Sequence, residues 1–153
     1  MEVTFLSHSL RKQEDGKKTG ADKFDATSDR ETVEKVKGYF HLLINTLAVE
    51  IDWNKYTNLL ALDGTMVVAG IPEKETPIGP SSLINARRSL AGSVIGGIRE
   101  TQEMLDFCSR YSIACDIELI QIQKVNEAFE RVVNSDVRYR FVIDMKSLDT
   151  GTD

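Results

Sequence analysis

The sequence predicts an α/β fold built on a parallel sheet. Two observations carry this. Short apolar runs of strand length, such as Val3–Ser7, Phe40–Thr46 and Thr65–Ala69, alternate with stretches that carry helix caps and helical spacing. Parallel strands need crossover connections, and that alternation supplies them. Two of these runs lead to Ser7 and Gly70, and strand C-termini in open parallel sheets line the ligand crevice.

The elements follow in order. Val3–Ser7 (VTFLS) reads as a short buried strand. Ser9 to Gly20 reads as a helix, with Ser9 as a candidate N-cap and Gly20 as its stop. Lys23–Ala26 is a second, very short strand, and Asp29 is placed to cap a helix that runs towards Gly38. Phe40–Thr46 (FHLLINT) is a continuous apolar run, as expected for a strand covered on both faces, and His41 lies within it. Trp53–Leu62 reads as a helix with Trp53, Tyr56, Leu59 and Leu60 at helical spacing. Asp63-Gly64 is a turn signal, and Thr65–Ala69 is the next buried strand. A loop with proline and glycine runs from Ile71 to Pro80. Ser82–Arg88 forms a short helix and Ser89–Val94 a strand.

The pattern changes after Gly96-Gly97, the expected internal boundary. Glu100–Arg110 is an amphipathic helix with Met104, Leu105, Phe107 and Cys108 on its apolar side. Asp116–Ile120 alternates like a half-buried strand, Val125–Val133 is a helix, and Tyr139–Met145 a strand. Residues 1–97 and 98–148 thus form two parts, and residues 149–153 a frayed tail.

Bulk properties exclude several classes. The formal net charge of -5 argues against nucleic acid as a partner, because phosphate backbones call for a basic face. No apolar run reaches the ~18 residues of a bilayer span, so no membrane association is expected. The N-terminus has no signal-peptide pattern, which points to the cytoplasm. Cys108 and Cys115 cannot build a disulfide framework and are expected in the core. His8 and His41 have no Cys or Glu at ligand spacing, so no metal site is expected, and no catalytic nucleophile pattern is present.

The end of the first strand carries the most chemical information. In dinucleotide-binding α/β folds, a carboxylate at the end of the second strand receives the adenosine ribose 2′-hydroxyl. A 2′-phosphate is repelled by that carboxylate and calls for hydroxyls and cations. Here Ser7 is followed by Ser9, Arg11 and Lys12, with no carboxylate before Glu14. If this is that second strand, the site suits NADP. By composition alone the cluster reads first as a serine cap and a solvated basic helix start. Gly70, after a buried strand, either lets a ligand approach the backbone or simply ends the strand. Gly92–Gly97 (GSVIGG) is a second glycine-bearing strand end, compatible with a ligand contact and with a junction.

The segments GTMVVAGIPE, RRSLAGSVIGGIRETQEMLDFC, IACDIELI and NSDVRYRFVIDM together resemble the C-terminal part of zinc-type medium-chain alcohol dehydrogenases, in the cinnamyl alcohol dehydrogenase and NADP-dependent aldehyde reductase branch. The resemblance runs from Val3 to about Leu148. It implies a truncated Rossmann-like parallel sheet up to Gly97, from the second strand onward, and then C-terminal elements of the catalytic domain. Ser7, Ser9 and Lys12 match residues that hold the NADP 2′-phosphate, with Arg11 as a helper. Thr46 and Gly70 match the cofactor crevice, Ser93 and Ile95 the nicotinamide end, and Arg140 the arginine that approaches the pyrophosphate.

The resemblance also implies what the chain does not carry: the first Rossmann strand with its glycine-rich turn, the ligands of the catalytic zinc, and the four-cysteine zinc loop. The expected function is therefore a fragment of an NADP-dependent alcohol dehydrogenase, inactive alone, that binds the cofactor weakly or not at all. The alternatives are a non-catalytic binding or oligomerisation module and one half of a split enzyme. Open sheet edges would favour homo-oligomers or a missing N-terminal half as partners. The strands DIELI and YRFVIDM would lose the partners that the family gives them.

Overall fold

The computed structural model describes residues 1–150 apart from Thr76 and Ser135, and excludes the side chains of Asp149 and Thr150. The expected tail falls largely on residues 151–153, outside the described residues. The chain divides into two compact units, Met1–Ile95 and Gly96–Asp153.

The first unit is built from parallel strands joined by helical crossovers. Strand β1 (Thr4–Ser7) pairs in parallel with β2 (Lys23–Ala26), so that Phe5 faces Phe24 and Ser7 faces Ala26. A 3-10 turn at Leu10–Lys12 and helix α1 (Gln13–Lys18) make the crossover between them. The crossover packs tightly: a Cβ on Gly16 would lie 2.6 Å from the Phe24 ring. Helix α2 (Arg30–Lys35) begins at Asp29, whose carboxylate accepts from the backbone N–H groups of Glu31 and Thr32 as the sequence predicts.

A second sheet has the order β3-β4-β5, all parallel, with β3 at Phe40–Asn45, β4 at Leu60–Val68 and β5 at Ser89–Gly92. Among the described residues no strand ladder joins it to β1-β2. Helix α3 (Trp53–Thr57) connects β3 to β4, and α4 (Pro80–Ile84) lies between β4 and β5. The core sits on one face of this sheet, where Trp53, Leu60 and Met66 are buried and Phe40, Leu43, Tyr56 and Val68 pack around them.

Three expectations need correction here. The helix from Trp53 stops at Thr57, and Leu60 already belongs to β4. Leu59 and Leu60 are fully buried, as the helical reading also required, but they are buried as the entry to a strand. Asp63-Gly64 does not separate two elements. It makes an irregularity inside β4, where the pairing shifts from Phe40↔Leu60 to Leu42↔Thr65 and Asp63 takes a φ of 60°. Strand β3 is covered on one face only: Leu42 and Ile44, on the opposite face from Leu43, are 53% and 62% exposed, and His41 is exposed too.

In the second unit, α5 (Ile98–Arg110) starts at Gly97, whose backbone N–H donates to the Glu100 carboxylate at 2.7 Å. Strand β6 (Glu118–Gln121) pairs in parallel with β7 (Phe141–Asp144), and α6 (Val125–Val133) crosses between them. The core expectation for the cysteines fails, because Cys115 is exposed and Cys108 only half-buried. Met104, Leu105 and Phe107 are each at least half exposed, so the apolar side of α5 is uncovered.

Candidate functional site

Parallel pairing brings strand C-termini to a common edge. Within each sheet of the first unit, the predicted ligand residues fall on those ends.

At the end of β1, Ser7 is half-buried, and Ser9, Arg11 and Lys12 follow within one turn. Ser9 occupies the N-cap position in extended backbone, but its side chain makes no cap bond. The expected cap is thus not formed, and the hydroxyl stays available. Two hydroxyls and two cations are grouped on one short segment. Of the acids that follow, Glu14 and Asp15 lie in the first turn of α1, Asp22 accepts from Val3 N at 2.8 Å, Asp25 lies within β2, and Asp29 caps α2. The Thr32 hydroxyl and the Glu31 N–H hold the Asp29 carboxyl below the usual carboxylate range.

The ends of β3 and β4 touch. The Asn45 carbonyl accepts from Ala69 N at 2.9 Å and from Gly70 N at 3.1 Å. A Cβ on Gly70 would lie 2.2 Å from the Leu47 carbonyl oxygen and 2.8 Å from the Thr46 carbonyl carbon, so only glycine fits. Gly70 therefore serves the close approach of two chain segments, a reason for glycine other than ligand access. Asn45 is 5% exposed, and its side-chain oxygen accepts from Leu47 N at 2.9 Å, which turns the chain sharply after β3 and presents Thr46 in the open. At the next strand end, Ser93 N donates to Val68 O at 2.9 Å, and Ile95 is 90% exposed.

Arg140 belongs to the second unit. Its backbone carbonyl accepts from Glu118 N at 2.9 Å, and its side chain is exposed. Among the described residues no group of three or more His, Cys, Asp or Glu side chains gathers at metal-binding range.

The structure also identifies two residues that the sequence reading passed over. Asn45 is one. Thr27 is the other, 6% exposed and bonded directly to the end of β1. The signal for Asn45 was present, since an asparagine at a strand end favours a side-chain turn. Nothing local to Thr27 marks it, because its partners are ~20 to 30 residues away in sequence.

The residues fit a 2′-phosphorylated dinucleotide by donor chemistry. Hydroxyls and a lysine–arginine pair stand at the strand end where a carboxylate would select an unphosphorylated ribose.

Comparison with known proteins gives the family and the fold. The family model described as "Zinc-binding dehydrogenase" matches residues 1–110. The NADP-dependent alcohol dehydrogenase C of Mycobacterium tuberculosis is 51% identical over 147 residues, which are 96% of this chain and 42% of that protein. A solved cinnamyl alcohol dehydrogenase from Sorghum bicolor superposes over the whole chain with a TM-score of 0.90 at 32% identity, and 43% of its own length is covered. A cinnamyl alcohol dehydrogenase from Helicobacter pylori, solved with NADP(H), matches 95% of this chain and 41% of its own with a TM-score of 0.80 at 29% identity. The chain thus spans about two fifths of the length of the relatives it matches.

Proposed function

The chain belongs to the zinc-binding dehydrogenase family, matching the C-terminal, Rossmann-like part of its fold, and from that premise we propose that it forms the adenosine-phosphate side of an NADP site in an alcohol–aldehyde oxidoreductase. One observation carries this reading: β1 ends at Ser7 and runs directly into Ser9, Arg11 and Lys12. Ser7 and Ser9 donate hydroxyl hydrogen bonds to the 2′-phosphate, and Lys12 and Arg11 neutralise its charge. Thr46 and Gly70 would line the crevice, and Ser93 and Ile95 would border the nicotinamide end.

Bound NADP supplies the hydride chemistry. The part played by this chain is to bind and orient it. In this reading none of these residues acts on the alcohol, and their role is confined to the cofactor.

Calorimetric titration with NADPH and NADH at low salt tests the reading. NADPH binding that exceeds NADH binding, and that is lost in Lys12→Ala, is the expected result. Equal affinity for the two, or none at millimolar cofactor, would refute it.

The uncovered apolar surface favours a second reading, self-association. Leu42 and Ile44 on β3 and the apolar side of α5 are open to solvent. A homo-oligomer that covers them is compatible with cofactor binding.

A further inference from the structure

We propose that Thr27 is the positioning residue that sets the 2′-phosphate loop, an inference that rests on the NADP reading above. Thr27 follows the last residue of β2 and is 6% exposed, so its hydroxyl is withdrawn from solvent. It does not touch the ligand groups themselves. It holds the point from which they project.

The Ser7 carbonyl accepts two bonds from this one residue, from Thr27 N at 2.7 Å and from Thr27 Oγ1 at 3.2 Å. The first is the ordinary continuation of the parallel ladder. The second is not, and it comes from a side chain. One residue further on, the His8 carbonyl accepts from Ser28 N at 3.2 Å. Two successive carbonyls at the mouth of the loop are therefore fixed. Fixing those peptides fixes the position from which the Ser7 side chain projects and the path of the chain to Ser9.

The far side of Thr27 is anchored on α3. Tyr56 Oη donates to Thr27 Oγ1 at 3.3 Å, and Lys55 Nζ donates to the Thr27 carbonyl at 2.8 Å. The threonine hydroxyl thus accepts from Tyr56 while donating to Ser7. With its donor role directed by an acceptor role, the rotor has one orientation that satisfies both partners. The consequence is a link from α3, which caps the main core, to the loop at the end of β1. The Lys55 ammonium is spent on a backbone carbonyl in the same link, which argues for a structural rather than a ligand-binding use of that charge.

Selectivity is the quantity this link should control. A phosphate held by four groups on one short loop responds to small changes in their aim more than parts of the nucleotide bound elsewhere do. One neutral hydrogen bond contributes about 0.5–1.5 kcal/mol, which corresponds to roughly a two- to tenfold change in affinity.

The test is calorimetry on the full chain with two probes, 2′,5′-ADP and 5′-ADP, whose affinity ratio reads the 2′-phosphate alone. Thr27→Val keeps the shape and removes the hydroxyl. It should lower the ratio by about two- to tenfold, and Thr27→Ser should restore it. A general loss of stability would weaken both probes together and leave the ratio in place. Thr27→Val with an unchanged ratio, while Lys12→Ala abolishes the preference, would overturn the role of Thr27 and leave the NADP reading standing. A wild-type chain with no preference for 2′,5′-ADP, or a Lys12→Ala variant that keeps it, would overturn the NADP reading and this proposal with it. If Thr27→Val does not fold, Tyr56→Phe removes the donor behind the hydroxyl and should shift the ratio in the same direction by less. An unchanged ratio in that variant would also overturn the role.

Discussion

Single residues separate what glycine does by necessity from what it does by default. A methyl group on Gly70 would collide with backbone atoms of Thr46 and Leu47, which cannot rotate away, whereas one on Gly92 meets nothing within 4 Å. Gly70→Ala should therefore cost about 1–3 kcal/mol in chemical denaturation, and Gly92→Ala should stay within about 0.5 kcal/mol of wild type. Similar losses at both positions would show that the strand ends are not packed as described. Glu118 offers a charge-based test. Its carboxylate accepts from Arg131 Nη2 at 2.6 Å and from Arg138 N at 2.9 Å, and these bonds lower its pKa below 4.5. The group is easier to ionise in the folded chain, so its contribution is present above the unfolded pKa and fades as pH falls through the lowered folded value. Acid titration should release hydrogen-exchange protection around β6 and β7 below pH 4.5 in the wild type. Glu118→Gln should remove that pH dependence, and a variant that kept it would place the titrating group elsewhere.

At the scale of elements, the helices were legible where a capping side chain marked them. Asp29 announces α2 from the sequence, and its carboxylate makes the bonds that the cap requires. Asp52 caps α3 in the same way, accepting from Asn54 N at 3.0 Å and Lys55 N at 3.2 Å, although that helix was read from its apolar spacing. What the sequence could not mark was the end of α3. Leu59 and Leu60 continue the helical spacing, because both faces of the junction between α3 and β4 are buried and a buried strand entry is as apolar as a helix face. The Asp63-Gly64 pair misled for a related reason: a positive φ and a glycine serve a bulge as well as they serve a turn. Because α3 is only five residues long, its cap carries much of its stability. Asp52→Ala should cost about 1 kcal/mol, and Asp52→Asn little, measured by thermal unfolding. Equal losses would mean that the carboxylate charge, and not its acceptor geometry, holds the helix start.

For the molecule as a whole, the candidate site was legible in its parts and not in its supports. Ser7, Ser9, Arg11 and Lys12 lie on one short segment, so their chemistry could be read directly along the chain. Asn45 and Thr27 act across the sheet, and only folding shows which carbonyls they reach. The apolar surface followed the same division. A run such as FHLLINT signals burial on two faces, but burial needs a covering layer that a sequence does not name, and here one face of β3 stands open at Leu42 and Ile44. Leu105 and Phe107 on α5 are exposed as well. Apolar groups left together in water drive association, and an uncovered strand face adds to this. The chain should accordingly sediment as a dimer or larger species at micromolar concentration. Ile44→Lys combined with Leu42→Lys should shift it towards monomer if β3 is the contact, while Leu105→Lys with Phe107→Lys should do so if α5 is. A wild-type chain that sediments as a monomer across the concentration range would rule out self-association as what covers these faces.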